Sequence, residues 1–293
     1  MNILSWSRGG TAAMIGLLLL CGELSQAYKM KCEGVFTDSL QPSQRTDAPQ
    51  RVSKAIEQYQ KILGLGELTH KPASLDAAKI HYRALSAAQK RSLLEMISGL
   101  YNEVKSLKYN QEGPFKTFKR HLDIIISQEL NAPQFFREEI YQKGKSLEQA
   151  LDLYYQKVQI LTGIPVLLQG QDVLLTALRL QEKFLTKVDN SIVIYGSFPN
   201  GRAYTKTSDL DFAVMNPKLE TKMRETDLLG LLTDFPLSEA QAHTIAPGQV
   251  HALGYLNPLV LIVRKDYVVL RVYENGLHDD FKNKEVHFDE FYL

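Results

Sequence analysis

Cysteine is scarce in this chain. Cys21 and Cys32 are the two present among 293 residues, too few for a disulfide framework and not in zinc-ribbon spacing. An excess of one charge is also missing. With 34 basic side chains against 33 acidic ones the net charge is +1, so the overall balance points neither to a nucleic-acid coat nor to a membrane-surface protein. There is no internal repeat and no low-complexity tract. At 44% hydrophobic and 23% charged, the composition is that of an ordinary globular protein. It excludes a disordered tail, a collagen and a disulfide-stapled mini-protein. The length suffices for one large domain or two ordinary ones, each with its own core.

Residues 1–27 read as a cleavable export signal. Arg8 is the lone charge of the leading segment, and an apolar stretch runs from Ala12 to Cys21. Ser25 and Ala27 then place small residues at the minus-three and minus-one positions of a cut before Tyr28. The apolar stretch is far shorter than the ~20 residues of a permanent span. Cys21 follows the leucine run as a lipidated cysteine would, but lipidation needs a small residue in front of it and Leu20 is not small. The expected location is therefore periplasmic or secreted, with Cys32 the one cysteine of the mature chain.

Residues 28–50 are polar, contain Pro42 and Pro49, and read as a linker. The period is helical from Arg51 to about Lys187. Leu93, Ile97, Leu100, Val104 and Leu107 recur at spacings of four and three, as do Leu151, Tyr154, Val158 and Leu161, and also Val173, Ala177, Leu180 and Phe184. Ser86 with Gln89, and Ser146 with Gln149, have capping-box spacing. From Ser191 the period changes. Ile192–Tyr195 and Leu210–Val214 read as short buried strands, Lys218–Leu232 as a helix, and Leu259–Val263 with Tyr267–Tyr273 as a hairpin around Arg264-Lys265-Asp266. The expected fold class is α+β: a helical domain over 51–165, then an α/β domain with a mixed sheet over 166–293. Residues 28–190 hold 23 basic and 18 acidic side chains, and residues 191–293 hold 10 and 14. That opposition is too mild to identify a partner.

Chemistry concentrates in Ser191–Met215. A hydrophobic strand ends at Gly196-Ser197, and after eleven intervening residues Asp209-Leu210-Asp211 opens another. A glycine at a strand end lets a phosphate approach the backbone, and Ser197 adds a hydroxyl and an N–H at the same place. Residues one and three of Asp209-Leu210-Asp211 project from one face of a strand. Two carboxylates side by side repel each other unless a cation lies between them, and hard oxygen ligands suit Mg2+ or Mn2+.

With Gly201-Arg202-Ala203 and Ser208-Asp209-Leu210-Asp211-Phe212, this stretch resembles the polymerase-β-type nucleotidyltransferase superfamily, most of all its minimal and antibiotic-modifying branches. The resemblance implies transfer of a nucleoside monophosphate from an NTP (ATP is the expected one) to an acceptor, with release of pyrophosphate. It implies that Asp209 and Asp211 bind the metal and are catalytic. Gly196, Ser197, Arg202 and Ser208 would hold the nucleotide, with Arg202 neutralising phosphate charge. The likeness extends over roughly a hundred C-terminal residues, and its specific part is the 25 residues of Ser191–Met215.

The family pattern adds a third acid on a later strand, and LVLIVR and YVVLRVYE offer none inside them. Arg271 is the one charge within the second, read either as a phosphate ligand or as the partner of a nearby acid. Glu274 and Asp266 lie at strand ends. A nucleotidyltransferase fold that binds nucleotide or a partner without transfer is thus a second expectation. His243 and His251 are too few for a zinc site. No Walker-type loop, Ser/His/Asp order or lone-cysteine signature is present.

Overall fold

The computed structural model describes residues 47–293 except 111–112, 188–189, 204–207, 233–236, 238, 247–248, 255–257 and 275–285. The expected export signal, both cysteines and most of the expected linker lie outside the described residues. Pro49–Leu293 forms one compact unit.

Helices occupy the first part of it: α1 (Ala48–Leu63), α2 (Pro72–Ala84), α3 (Ala87–Asn110), α4 (Pro114–Leu130), α5 (Ala132–Phe136), α6 (Leu147–Thr162) and α7 (Gly170–Leu180). Helices α5 and α7 each run on into a π-helical turn, Arg137–Gln142 and Gln181–Leu185. Helix α1 starts three residues before the expected Arg51. Pro49, read above as a linker residue, sits in its first turn, where a proline forfeits no hydrogen bond. Both expected capping boxes form, at Ser86 with Gln89 and at Ser146 with Gln149. The expected stripe of α6 is buried throughout, and Gly163 ends that helix at φ 64°. In α3, Leu93, Ile97, Val104 and Leu107 are buried, but Leu100 is only half-buried. Tyr101 takes the inward position beside it, because its hydroxyl donates to Asp123 Oδ1 of α4 at 2.6 Å.

The second part is a six-stranded mixed sheet. Its strands are β1 (Ser191–Tyr195), β2 (Asp209–Val214), β3 (Glu239–Thr244), β4 (Leu259–Arg264), β5 (Val268–Tyr273) and β6 (Phe288–Tyr292), in the order β3-β2-β1-β4-β5-β6. The β2–β3 pair is parallel and the other four pairs are antiparallel. The expected helix Lys218–Leu232 divides into α8 (Pro217–Arg224) and the single turn α9 (Leu229–Leu232). Its mean hydropathy is low and only Leu219 and Met223 are buried in α8, so little apolar face exists to carry it further. His243 lies in β3, and His251 in the turn α10 (Val250–Leu253).

The two sheet faces differ. One carries Ile194, Phe212, Leu261, Leu270 and Phe291, and the helices cover it. Phe136 of α5 meets Phe291 at a ring separation of 5.7 Å. The opposite face carries Val193, Ala213, Val260, Ile262, Val269 and Tyr273, a small core closed by Val250 of α10. The pairings Val193 with Ala213 and Tyr195 with Asp211 put both aspartates of β2 on this second face.

Candidate functional site

Strand β1 ends at Tyr195, and Gly196 follows with φ +78°. A Cβ at this position would stand 2.5 Å from Asp211 Oδ2, so glycine alone allows the loop backbone to lie against that carboxylate. Asp209 and Asp211 are half-buried, Gly196 and Ser197 likewise, and Ser208 is buried beside Asp209. Burial pushes the Asp211 carboxyl up to about 6, and the neighbouring Asp209 pushes the same way against a smaller opposing pull from His243. Tyr195, paired with Asp211 in the sheet, is pushed up to about 12 by burial and by the two aspartates. The structure thus brings together Gly196, Asp211 and Asp209, and Tyr195 with them.

Two residues that sequence reasoning passed over hold the loop in place. Asn200 is 1% exposed. Its Nδ2 donates to Gly196 O at 2.9 Å and to Leu259 O at 2.8 Å, and its Oδ1 accepts from Leu259 N at 2.9 Å. It thereby ties the loop to the start of β4. Tyr155 of α6 donates to Pro199 O at 3.0 Å, with its ring under Gly201. A Cβ on Gly201 (φ +65°) would come within 2.3 Å of that ring. Neither the Asn200–Leu259 nor the Tyr155–Pro199 contact has a local sequence signal, because each joins residues far apart in the chain.

Arg202 points elsewhere. Its guanidinium is buried at the helical side, with Nη1 3.4 Å from Asp123 Oδ1. Asp123 also accepts from Lys119 Nζ at 2.5 Å and from the Tyr101 hydroxyl. Burial acts to raise the Asp123 carboxyl, but Lys119 and Arg202 outweigh it and hold it below the usual carboxylate range. Arg202 Nε and the hydroxyl of Tyr154 are buried with no hydrogen-bond partner among the described residues. Arg271 pairs with Glu290 of β6, Nη2 to Oε1 at 2.7 Å, and stacks over Phe288 at 4.2 Å.

Strand β3 brings one further acid. Glu239 pairs with Asp209 in the parallel β2–β3 ladder, Gln241 with Asp211 and His243 with Ala213. The alternation of Ala240 and Ala242 with polar residues was the available signal for this strand. Among the described residues no group of three His, Cys, Asp or Glu side chains is gathered closely enough to hold a metal ion. Nor is any helix there long and apolar enough to cross a membrane.

Comparison with known protein families, with characterised proteins and with solved structures finds no match for this chain.

Proposed function

We propose that the sheet domain is a polymerase-β-type nucleotidyltransferase site, taking an NTP with Mg2+ or Mn2+ and passing its nucleoside monophosphate to an acceptor. The observation that carries the reading is the contact of Gly196 with Asp211, on a strand whose two carboxylates share a face. A loop glycine pressed against one of two repelling carboxylates has little structural purpose, and burial of such charges is costly without a partner. The donor set suits a hard divalent cation: Asp209 and Asp211 would hold it, and their mutual repulsion would be relieved. Such an ion supplies charge neutralisation for a triphosphate.

The roles of the chain's own groups follow. Gly196 and Ser197 offer backbone N–H groups and a hydroxyl to phosphate oxygens, and Ser208 borders the same loop. The acceptor oxygen attacks the α-phosphorus, the bond to the bridging oxygen breaks, and pyrophosphate leaves with its electron pair. Glu239, exposed and paired with Asp209 across the β2–β3 ladder, would receive the acceptor's proton. Arg202 supports the loop from behind through Asp123 instead of meeting phosphate. An exported protein of this kind would find its NTP in a compartment other than its own.

Titration with each NTP plus magnesium or manganese, following heat and pyrophosphate together, tests the reading. The expected result is metal-dependent binding and slow pyrophosphate release, both lost in Asp209→Ala and Asp211→Ala. Turnover that survives both substitutions overturns it. A second reading, a site that binds nucleotide without transfer, is favoured by the engagement of Arg202 with Asp123. Metal-dependent binding with no pyrophosphate release across a panel of hydroxyl and amine acceptors would select it.

A further inference from the structure

A cavity of about 190 Å3 lies where the helices meet the outer end of the β4–β5 hairpin, bordered by Pro258 and Tyr273 on the sheet side. That is roughly tenfold more than one buried water requires. Its walls share no residue with the Gly196–Asp211 site, and most of them are polar.

The charges on those walls are of both signs and arranged on different elements. Arg83, in the last turn of α2, donates from Nε to Gln128 Oε1 at 2.9 Å. This leaves the two terminal nitrogens of its fork for another acceptor. Lys90 comes from the first turn of α3, with Nζ 5.3 Å from the centre of the Tyr82 ring. Among the described residues neither cation forms an ion pair. Facing them is the carboxyl-terminal end of α4. There Glu129 accepts from the buried Tyr82 hydroxyl at 2.6 Å through Oε2, and Oε1 is left for another donor. Lys157 donates to the carbonyls of Glu129 and Leu130 at 3.0 and 3.3 Å, and the Asn131 N–H donates to Ser127 O. Asn131, on the cavity wall, takes the left-handed conformation (φ 42°) of a helix C-cap, which ends α4 there.

A site for an anion alone would not place the Glu129 carboxylate beside the ligand, since like charges repel. One for a cation alone would not place Arg83 and Lys90 there. We propose that this cavity binds a small zwitterion, an α-amino acid. Its carboxylate is held by the free edge of Arg83 and by Lys90, and its ammonium by Glu129 Oε1. A planar guanidinium pairs with a carboxylate through two parallel hydrogen bonds, which fixes orientation as well as charge. The volume limits the ligand to a small or medium side chain.

Calorimetric titration of the full chain with single L-amino acids, then with the N-acetyl and carboxamide derivatives of the tightest binder, tests the proposal. One-site saturable binding is expected, lost when either the ammonium or the carboxylate is blocked. Arg83→Gln should weaken it by about tenfold or more, as expected for loss of a charge-assisted pair. Glu129→Gln keeps an acceptor for Tyr82 but should lower the preference for the free ammonium. Arg83 is exposed, so its variant is expected to fold, and an unchanged melting temperature checks this. Asp211→Asn should leave amino-acid binding intact, which separates this cavity from the sheet site. Absence of saturable binding by any amino acid overturns the proposal. So does binding that tolerates a blocked carboxylate or ammonium, or that is indifferent to Arg83→Gln.

Discussion

Gly196 and Asp211 touch across the gap between β1 and β2 so closely that a methyl group on the glycine would sit 2.5 Å from a carboxylate oxygen. Gly196→Ala therefore meets two obstacles, a φ of +78° and the Asp211 side chain. The first costs about 1–2 kcal/mol for an L residue. The total loss is expected at roughly 2–3 kcal/mol by urea unfolding, and under the proposed function nucleotide binding should be lost with it. A variant as stable as the parent would show that the loop can move away from Asp211.

Asp211 makes stability depend on pH in a defined direction. Its folded value of about 6 lies above the ~3.9 of an unfolded aspartate. The protonated form is favoured in the folded state, so the associated stability is present below about pH 4 and is lost as pH rises through about 6. In EDTA, Asp211→Asn should be more stable than the parent at pH 7 by about 1 kcal/mol, after allowance for solvent screening of a half-exposed group. The difference should vanish at pH 4. Melting curves of both proteins across that range measure it.

His121 acts in the opposite sense. It is fully buried in α4, its Nε2–H donates to Thr69 O at 3.1 Å, and Nδ1 faces the Tyr59 hydroxyl at 3.4 Å. Burial lowers its pKa, with His70 adding to the effect and the Thr69 carbonyl opposing it. The neutral ring is favoured on folding, so its contribution is intact above about pH 6.5 and is lost as pH falls through the lower folded value. Urea midpoints should fall between pH 7.5 and 5, with the fall reduced in His121→Gln.

Asn200→Ala removes three hydrogen bonds and leaves both backbone groups of Leu259 without their partner. At about 1 kcal/mol for each bond, a loss near 3 kcal/mol is expected. Hydrogen exchange at Leu259 should accelerate more than exchange in α6.

Asp123→Ala removes the counter-charge of the buried Arg202. Breaking such a pair costs about 3–5 kcal/mol. Arg202→Met, which still leaves Asp123 its Lys119 and Tyr101 partners, should cost less. Chemical denaturation of the two variants gives the order, and the reverse order would contradict the placement of Arg202.

Local periodicity by itself determined the buried stripes of α3, α6 and α7, β1, β2 and the β4–β5 hairpin, because buried faces recur every three to four residues in a helix and every two in a strand. Leu93, Ile97, Tyr154 and Val158 are buried where that rule puts them. It also determined that Asp209 and Asp211 share a face, since strand alternation is independent of the partner strand. Strands β3 and β6 eluded it. EAQAHT and FDEFY are edge strands with polar residues on both faces, and their partners in the sheet, not their own apolar pattern, hold them extended. Only the tertiary structure decided which residues meet across long stretches of chain. It placed Glu239 beside Asp209, turned Arg202 inward to Asp123, and paired Arg271 with Glu290. Asn200 and Tyr155 became supports of the Gly196 loop in the same way. Such contacts depend on the register between strands and the packing of helices on the sheet, which no local pattern encodes.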